Sequence, residues 1–187
     1  MADRPWRPPG RHWPERADVV AGLDELAEGS WLGLNDTGVV AGVLNRRESL
    51  GPAPDKRSRG ELVLEALDHA DAVQAAEALG DLDPGAYRPF NLVVADNRDA
   101  WFVRSLGPDA RRVEVTEIPP GLTMVTAADP DDEGDPRIAR YLPLFREAPA
   151  PDPDAGDWTA WERLLADTTP GAPGVPGSAM CFTTESG

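Results

Sequence analysis

The chain has 187 residues, enough for one domain with a sizeable core and too few for two full domains. Its formal charge of −15 would repel a phosphate backbone or an anionic membrane surface, so neither nucleic-acid binding nor membrane insertion is expected. A single cysteine excludes an intramolecular disulfide, and no apolar run approaches the roughly 20 residues of a membrane helix, so we expect a cytoplasmic protein.

The first 17 residues are rich in proline, arginine and tryptophan, a composition that opposes regular helix and favours extended or turn backbone. Because Trp6 and Trp13 both need something to pack against, we predict a loop that lies on the core. Residues 30–35 and 39–45 are short apolar strands on either side of an Asp-Thr-Gly turn, and this pattern predicts a β-hairpin.

Two helices and a run of strands follow the hairpin. Ser58 and Glu61 have the spacing of a capping box ahead of an apolar helical pattern, and Asp71 is placed to cap a second helix over residues 72–79. Because the strands then follow one another directly, beside the helices, we predict an α+β fold with mostly antiparallel pairing. These predicted strands are residues 90–95, 100–105, 112–118 and 122–126, and residues 96–99, beginning at Asp96, are predicted to form the turn between the first two.

The last third of the chain is predicted to contain an acidic loop, a helix over residues 137–146 interrupted or kinked at Pro143, and a short amphipathic helix from Trp158 to Leu165. Residues 179–184 have the pattern of the first half of a hairpin. We treat the chain as one domain, 1–187, with three parts: a Pro/Trp/Arg-rich loop at 1–17, the hairpin, helices and strand meander at 18–126, and the acidic loop, helices and final strand at 127–187.

Few residues suit metal or nucleophilic chemistry. With only His12 and His69, a catalytic triad or a multi-histidine metal site has little to draw on, although His12 is a candidate axial ligand for haem. The acidic run at 129–135 lacks the spacing of a calcium loop, so we interpret it as solvated charge and predict no metal site. Cys181 is interpreted as a buried small hydrophobe.

A polar cluster is the strongest candidate site in the sequence. Asn45, Arg47, Arg59 and Asn91 stand at predicted strand ends and at a helix start, where their donors suit a carboxylate or an oxyanion. Structural hydrogen bonding accounts for the same residues about equally well. Together with Trp31, these four residues are our predicted ligand-binding set for a small molecule.

Five short segments also carry a resemblance to a known family: residues 3–5, 29–33, 45–47, 58–62 and 89–92. Because of the order and spacing of these segments, the chain resembles the NRDE family, also called the transport and Golgi organisation protein two family. The resemblance implies a four-layer αββα sandwich of the N-terminal-nucleophile hydrolase type, with two antiparallel sheets between helices, here incomplete at both ends.

The chemistry implied by this resemblance depends on an N-terminal cysteine, which acts as nucleophile with its own α-amine as base. Family members open with Met-Cys, a strand and an Asn-Arg-Asp-Glu signature ahead of the Asp-Arg-Pro that stands here at residues 3–5. We therefore expect a start assigned at an internal methionine or a shortened chain, and an amide hydrolase that is inactive in this form. Sheets lacking outer strands would expose edges through which two copies could pair as a homodimer.

The alternative hypothesis is a non-enzymatic protein that binds or traffics haem or another hydrophobic small molecule between the sheets. It follows from the resemblance, because eukaryotic members are linked to haem trafficking and lipid homeostasis. Arg47 and Arg59 would then face the haem propionates. No resident cofactor is implied, and haem enters only as a candidate ligand. An interaction module that uses the predicted helix from Trp158 to Leu165 ranks below both hypotheses.

Overall fold

The computed structural model describes residues 4–47, 49, 53–171 and 175–182. This part of the chain divides into two compact units, Arg4–Pro119 and the residues from Pro120 onward, each of which is described by itself. The prediction of a single domain over residues 1–187 stays a prediction.

The first unit is built on a seven-stranded sheet whose spatial order is the chain order and whose pairings are all antiparallel. This order arises because most neighbouring strands are joined by short turns. The α+β class and the antiparallel pairing predicted from the sequence are confirmed. The strands are β1 Trp6–Gly10, β2 Val19–Asp24, β3 Leu32–Asn35, β4 Val40–Asn45, β5 Phe90–Ala95, β6 Ala100–Ser105 and β7 Glu114–Glu117.

Two helices, α1 Gly60–Leu67 and α2 Ala72–Gly80, lie between β4 and β5 in the chain and cover one face of the sheet. Alternate residues of the strands, such as Phe90, Leu92 and Val94 of β5, point into this core and are fully buried. We call this side the helix-covered face and the other side the opposite face. Of the four predicted layers, this unit therefore forms two, one sheet and one helical layer.

The predicted hairpin is confirmed as β3 and β4, and its turn uses Gly38 at a φ of 96°, which favours glycine. The predicted turn between β5 and β6 is also confirmed. There the Asp96 carboxylate accepts hydrogen bonds from the backbone N–H groups of Arg98 and Asp99, at 2.8 and 2.9 Å. The cap at Asp71 is confirmed too, because its carboxylate accepts from the Gln74 N–H at 2.8 Å.

The interpretation of residues 1–17 as a loop is wrong for the part that the structure describes. Trp6–Gly10 forms β1, an edge strand that pairs with β2, and neither strand was predicted from the sequence. Prolines are tolerated there because an edge strand needs only one row of backbone donors. Of the two tryptophans, Trp13 is buried in the core and Trp6 is exposed.

The reciprocal capping box at α1 does not form. The Ser58 hydroxyl accepts from the Gly60 N–H at 3.2 Å, but the Glu61 carboxylate turns away and accepts from Nε of Arg57 at 2.9 Å. A charged partner is a stronger hydrogen-bond donor than a backbone N–H, and this explains the choice made by Glu61.

The second unit contains α3 Pro136–Glu147 and α4 Thr159–Leu165. α3 runs through Pro143 without interruption, and α4 packs on it through Trp161, whose ring lies 5.2 Å from that of Phe145. The predicted strand at 122–126 is wrong, because the backbone of Met124 bonds to Asp131 instead of to another strand. Residues 179–182 form bends, not a strand, and 183–184 lie outside the described residues.

Candidate functional site

The structure places Asn45 and Asn91 at the same end of two paired strands but on opposite faces of the sheet. Asn45 of β4 pairs with Phe90, and Leu44 pairs with Asn91 of β5. Because directly paired residues share a face and Phe90 points into the core, Asn45 faces the helices and Asn91 faces the other way. The predicted cluster is therefore divided between two faces.

Asn91 is fully buried on the opposite face, and its partner is Arg46, which is not among the five predicted site residues. Nη1 of Arg46 donates a hydrogen bond to Oδ1 of Asn91 at 2.6 Å. A guanidinium has donors only, so the carboxamide must direct its oxygen at Arg46 and its NH₂ group away from it. The contact thus fixes the orientation of the Asn91 amide.

The polar row continues across the sheet on the same face. Arg104 of β6 pairs directly with Asn91, and Glu114 of β7 pairs with Arg104. Nε and Nη2 of Arg104 both donate to Oε2 of Glu114, at 2.9 and 2.7 Å. We call these four residues, Arg46, Asn91, Arg104 and Glu114, the Asn91 row.

Arg59 and Arg47 lie outside this row. Nη1 of Arg59 donates to Oγ of Ser49 at 2.8 Å and to the Pro89 carbonyl at 2.9 Å, so it fastens the start of α1 to the residue before β5. Burial lowers the pKa of Arg59, and the neighbouring charge of Arg88 lowers it further. Arg47 is exposed in the turn after β4.

Trp31 is also separate from the row. It precedes β3, so that β4 lies between it and β5. Its half-exposed ring meets Trp6 edge-on at 6.5 Å between centroids, and it lies against Gly22. Of the five predicted site residues, only Asn91 belongs to the Asn91 row.

A sequence signal for part of the row existed. Residues 90–95 and 100–105 have equal length on either side of the Asp96 turn, and a symmetric hairpin about that turn places Asn91 opposite Arg104. Arg46 had no such signal, since its reach to Asn91 depends on how β4 pairs with a strand that lies 45 residues further along the chain.

Residues considered for metal or thiol chemistry have other surroundings. Carboxylates of the acidic loop accept backbone N–H bonds: Asp131 from Met124 at 2.7 Å and Asp132 from Gly134 at 2.9 Å. Among the residues described, no group of three histidine, cysteine, aspartate or glutamate side chains could hold a metal ion. Cys181 is exposed, which corrects its interpretation as a buried residue.

A cavity of about 530 Å³ lies on the helix-covered side of the first unit. His12 and Trp13 belong to its lining, together with residues from the turn after β2 and from α1. Nε2 of His12 lies 2.8 Å from the Pro8 carbonyl oxygen, so this nitrogen carries the proton and donates it. The cavity and the Asn91 row are therefore on different faces of the sheet.

Comparison with known proteins gives a family match. A family model described as Transport and Golgi organisation 2 matches residues 1–150. No curated protein matches the chain. Among solved structures, part of the chain is similar to penicillin V acylase from Agrobacterium tumefaciens, with 20% sequence identity and a TM-score of 0.39, over 53% of this chain and 32% of that one. The match thus spans about a third of the acylase chain.

None of the helices in the described ranges combines the length and the apolar character needed to cross a bilayer.

Proposed function

The chain belongs to the Transport and Golgi organisation 2 family, and from this premise we propose that it is a scaffold of amide-hydrolase type whose Asn91 row binds the carbonyl or carboxylate oxygen of a small acylated molecule. The contact between Arg46 and the fully buried Asn91 amide is the observation that carries this proposal. The N-terminal-nucleophile layering and the amide substrate are taken from the sequence resemblance and are part of the proposal.

The chemistry of the row suits an oxygen that gains negative charge. Donation from Arg46 to Oδ1 polarises the Asn91 amide, and this polarisation makes its N–H groups stronger donors. A fixed donor at a water-excluded position stabilises an oxyanion without reorganisation when the reaction occurs. Arg104, oriented by its two contacts with Glu114, adds a second guanidinium on the same face.

The cost of placing these groups supports a functional role. A carboxamide that leaves water lowers the stability of the fold unless each of its hydrogen bonds is replaced. Val93, two residues along β5 on the same face, shows that an apolar residue fits this side of the strand. The polar row in place of such residues supports a ligand-binding role.

The deciding experiment measures hydrolysis of N-acyl amino acids by two proteins. One is the 187-residue chain. The other carries in addition the Met-Cys and Asn-Arg-Asp-Glu opening of the family ahead of residues 3–5. We expect turnover by the extended protein only, because the resemblance assigns the nucleophile to that opening. Equal inactivity of the two proteins would remove the basis of the hydrolase proposal.

Asn91→Asp in the extended protein is expected to lower kcat by about 100-fold, the usual cost of one oxyanion donor. The carboxylate retains a partner for Arg46 but has no N–H to donate. Asn97→Asp, the same change in the exposed turn between β5 and β6, is the matched control and should leave kcat unchanged. If Asn91→Asp keeps full activity with an unchanged melting temperature, Asn91 has only a structural role.

A second candidate function, binding of haem or another hydrophobic small molecule, is favoured by the cavity beside His12 and Trp13. Titration with micromolar haem would then shift the Soret band, and His12→Ala would abolish the shift. The glutamates of the lining would repel the two haem propionates, so this candidate ranks second. We therefore expect no Soret shift that depends on His12. A His12-dependent Soret band would reverse this order of the two candidates.

A cytoplasmic location, and pairing of two copies through the outer strands β1 and β7, stay predictions.

A further inference from the structure

The cavity on the helix-covered side has a composition that the proposed function does not use. Three segments line it: the residues around the first 3₁₀ turn at Pro14–Arg16, the end of β2 with the turn that follows, and α1 with the residues just before it. Its volume of about 530 Å³ lies within the range of ordinary small-molecule sites, roughly 300–1,000 Å³.

One wall of the cavity is aromatic and apolar, and it is held firmly in place. Trp13 is only 8% exposed, and its Nε1–H donates to the carbonyl oxygen of Glu28 at 2.9 Å. The His12 ring meets it edge-on at 5.7 Å between centroids, and Leu64 of α1 adds a buried aliphatic surface. An apolar body of modest size would lie favourably against this wall, because its surface would be removed from water.

The charged part of the lining is predominantly negative, with four glutamates against two arginines. Both arginines already have carboxylate partners. Nε and Nη2 of Arg16 bind the two oxygens of Asp68, which lies outside the lining, at 2.7 and 2.9 Å. The lining glutamates are Glu15, Glu28, Glu61 and Glu65.

Arg57 neutralises only part of this charge. It donates to Glu61 at 2.9 Å and to Glu65 at 2.6 Å. Burial by itself would lower the pKa of Arg57, but the hydrogen bonds to Glu65 and Glu61 outweigh burial and the pKa is raised. Arg57 therefore stays a single cation between two carboxylates, and negative charge remains in excess around the cavity.

We propose that this cavity binds a primary ammonium ion that carries an apolar body, with the charged group among the glutamates and the body against Trp13 and Leu64. A carboxylate-bearing ligand of the same size would be repelled, because both arginines are engaged. The inference goes beyond the proposed function, since the Asn91 row lies on the other face of the sheet. Failure of either proposal leaves the other intact.

The test compares two probes of similar size and opposite charge, phenethylamine and phenylacetate, by isothermal titration calorimetry at low salt. We expect phenethylamine to bind at one site, and phenylacetate to bind at least about 10-fold more weakly. Adding salt should weaken phenethylamine binding, because part of its affinity is electrostatic. Equal affinity of the two probes, or no binding of phenethylamine, would overturn the proposal.

A pair of matched variants separates the site from the general charge of the protein. Glu28→Gln, in the lining, should weaken phenethylamine binding about 3-fold, as expected for a partly exposed ion pair. Glu25→Gln removes the same charge from the same turn, outside the lining, and should leave binding unchanged. An equal effect of both variants would mean that phenethylamine responds only to net charge, and this result would contradict the assigned site.

Discussion

Replacement of Asn35 by alanine is expected to lower the free energy of unfolding by about 4 kcal/mol. Asn35 ends β3 and is only 2% exposed. Its Nδ2 group donates to the carbonyls of Leu67 and His69 at 2.9 and 2.8 Å, and its Oδ1 accepts from the N–H of Val39 at 2.9 Å and from Thr37. One side chain thus satisfies both the end of α1 and the hairpin turn.

Alanine would leave the carbonyls of Leu67 and His69 at the end of α1 without these donors, and each such group costs about 1–3 kcal/mol where it is buried. Urea unfolding of Asn35→Ala, followed by circular dichroism, measures the loss. Asn97→Ala, in an exposed turn, is the control and should change stability by less than about 0.5 kcal/mol. A loss below about 1 kcal/mol for Asn35→Ala would show that water replaces these hydrogen bonds.

The sequence predicted those elements whose signals are local. The hairpin turn with Gly38, the Asp71 cap and the Asp96 turn each depend on a few neighbouring residues, and all three are confirmed. Strands without turn residues at their ends were not predicted. One example is β2, which contains Gly22 and has no clear turn signal in the sequence on either side. The prediction of a strand at 122–126 is wrong because the Asp131 carboxylate accepts a hydrogen bond from the backbone N–H of Met124.

The candidate site could be predicted only in part, because it depends on register. Asn45 and Asn91 both belong at strand ends in the sequence, but a shift of one residue in pairing decides which face each side chain occupies. That register is set by the packing of Phe90 and Leu92 against the helices, which is a long-range effect. The hydrogen bonds from Arg59 to Ser49 and Pro89 likewise depend on where the fold places the start of α1.

Gly29→Ala is expected to lower the free energy of unfolding by about 3 kcal/mol or more. A Cβ atom at Gly29 would lie 2.5 Å from the carbonyl carbon of Gly60 and 2.8 Å from its Cα, both backbone atoms that cannot move alone. The Ser30 N–H donates to the Gly60 carbonyl at 3.0 Å, so the clash would also separate the turn after β2 from the start of α1.

The matched control is Gly42→Ala on β4, where an added Cβ meets first the flexible end of Leu32, at 3.3 Å. This change should cost less than about 1 kcal/mol, because the lost backbone entropy of the unfolded chain offsets a small shift of the leucine. Gly29→Ala should also weaken phenethylamine binding, since Glu28 precedes it and accepts the Trp13 N–H. Unchanged stability in urea would show that the turn relaxes away from α1 without cost, and the cavity wall would then not be fixed by this contact.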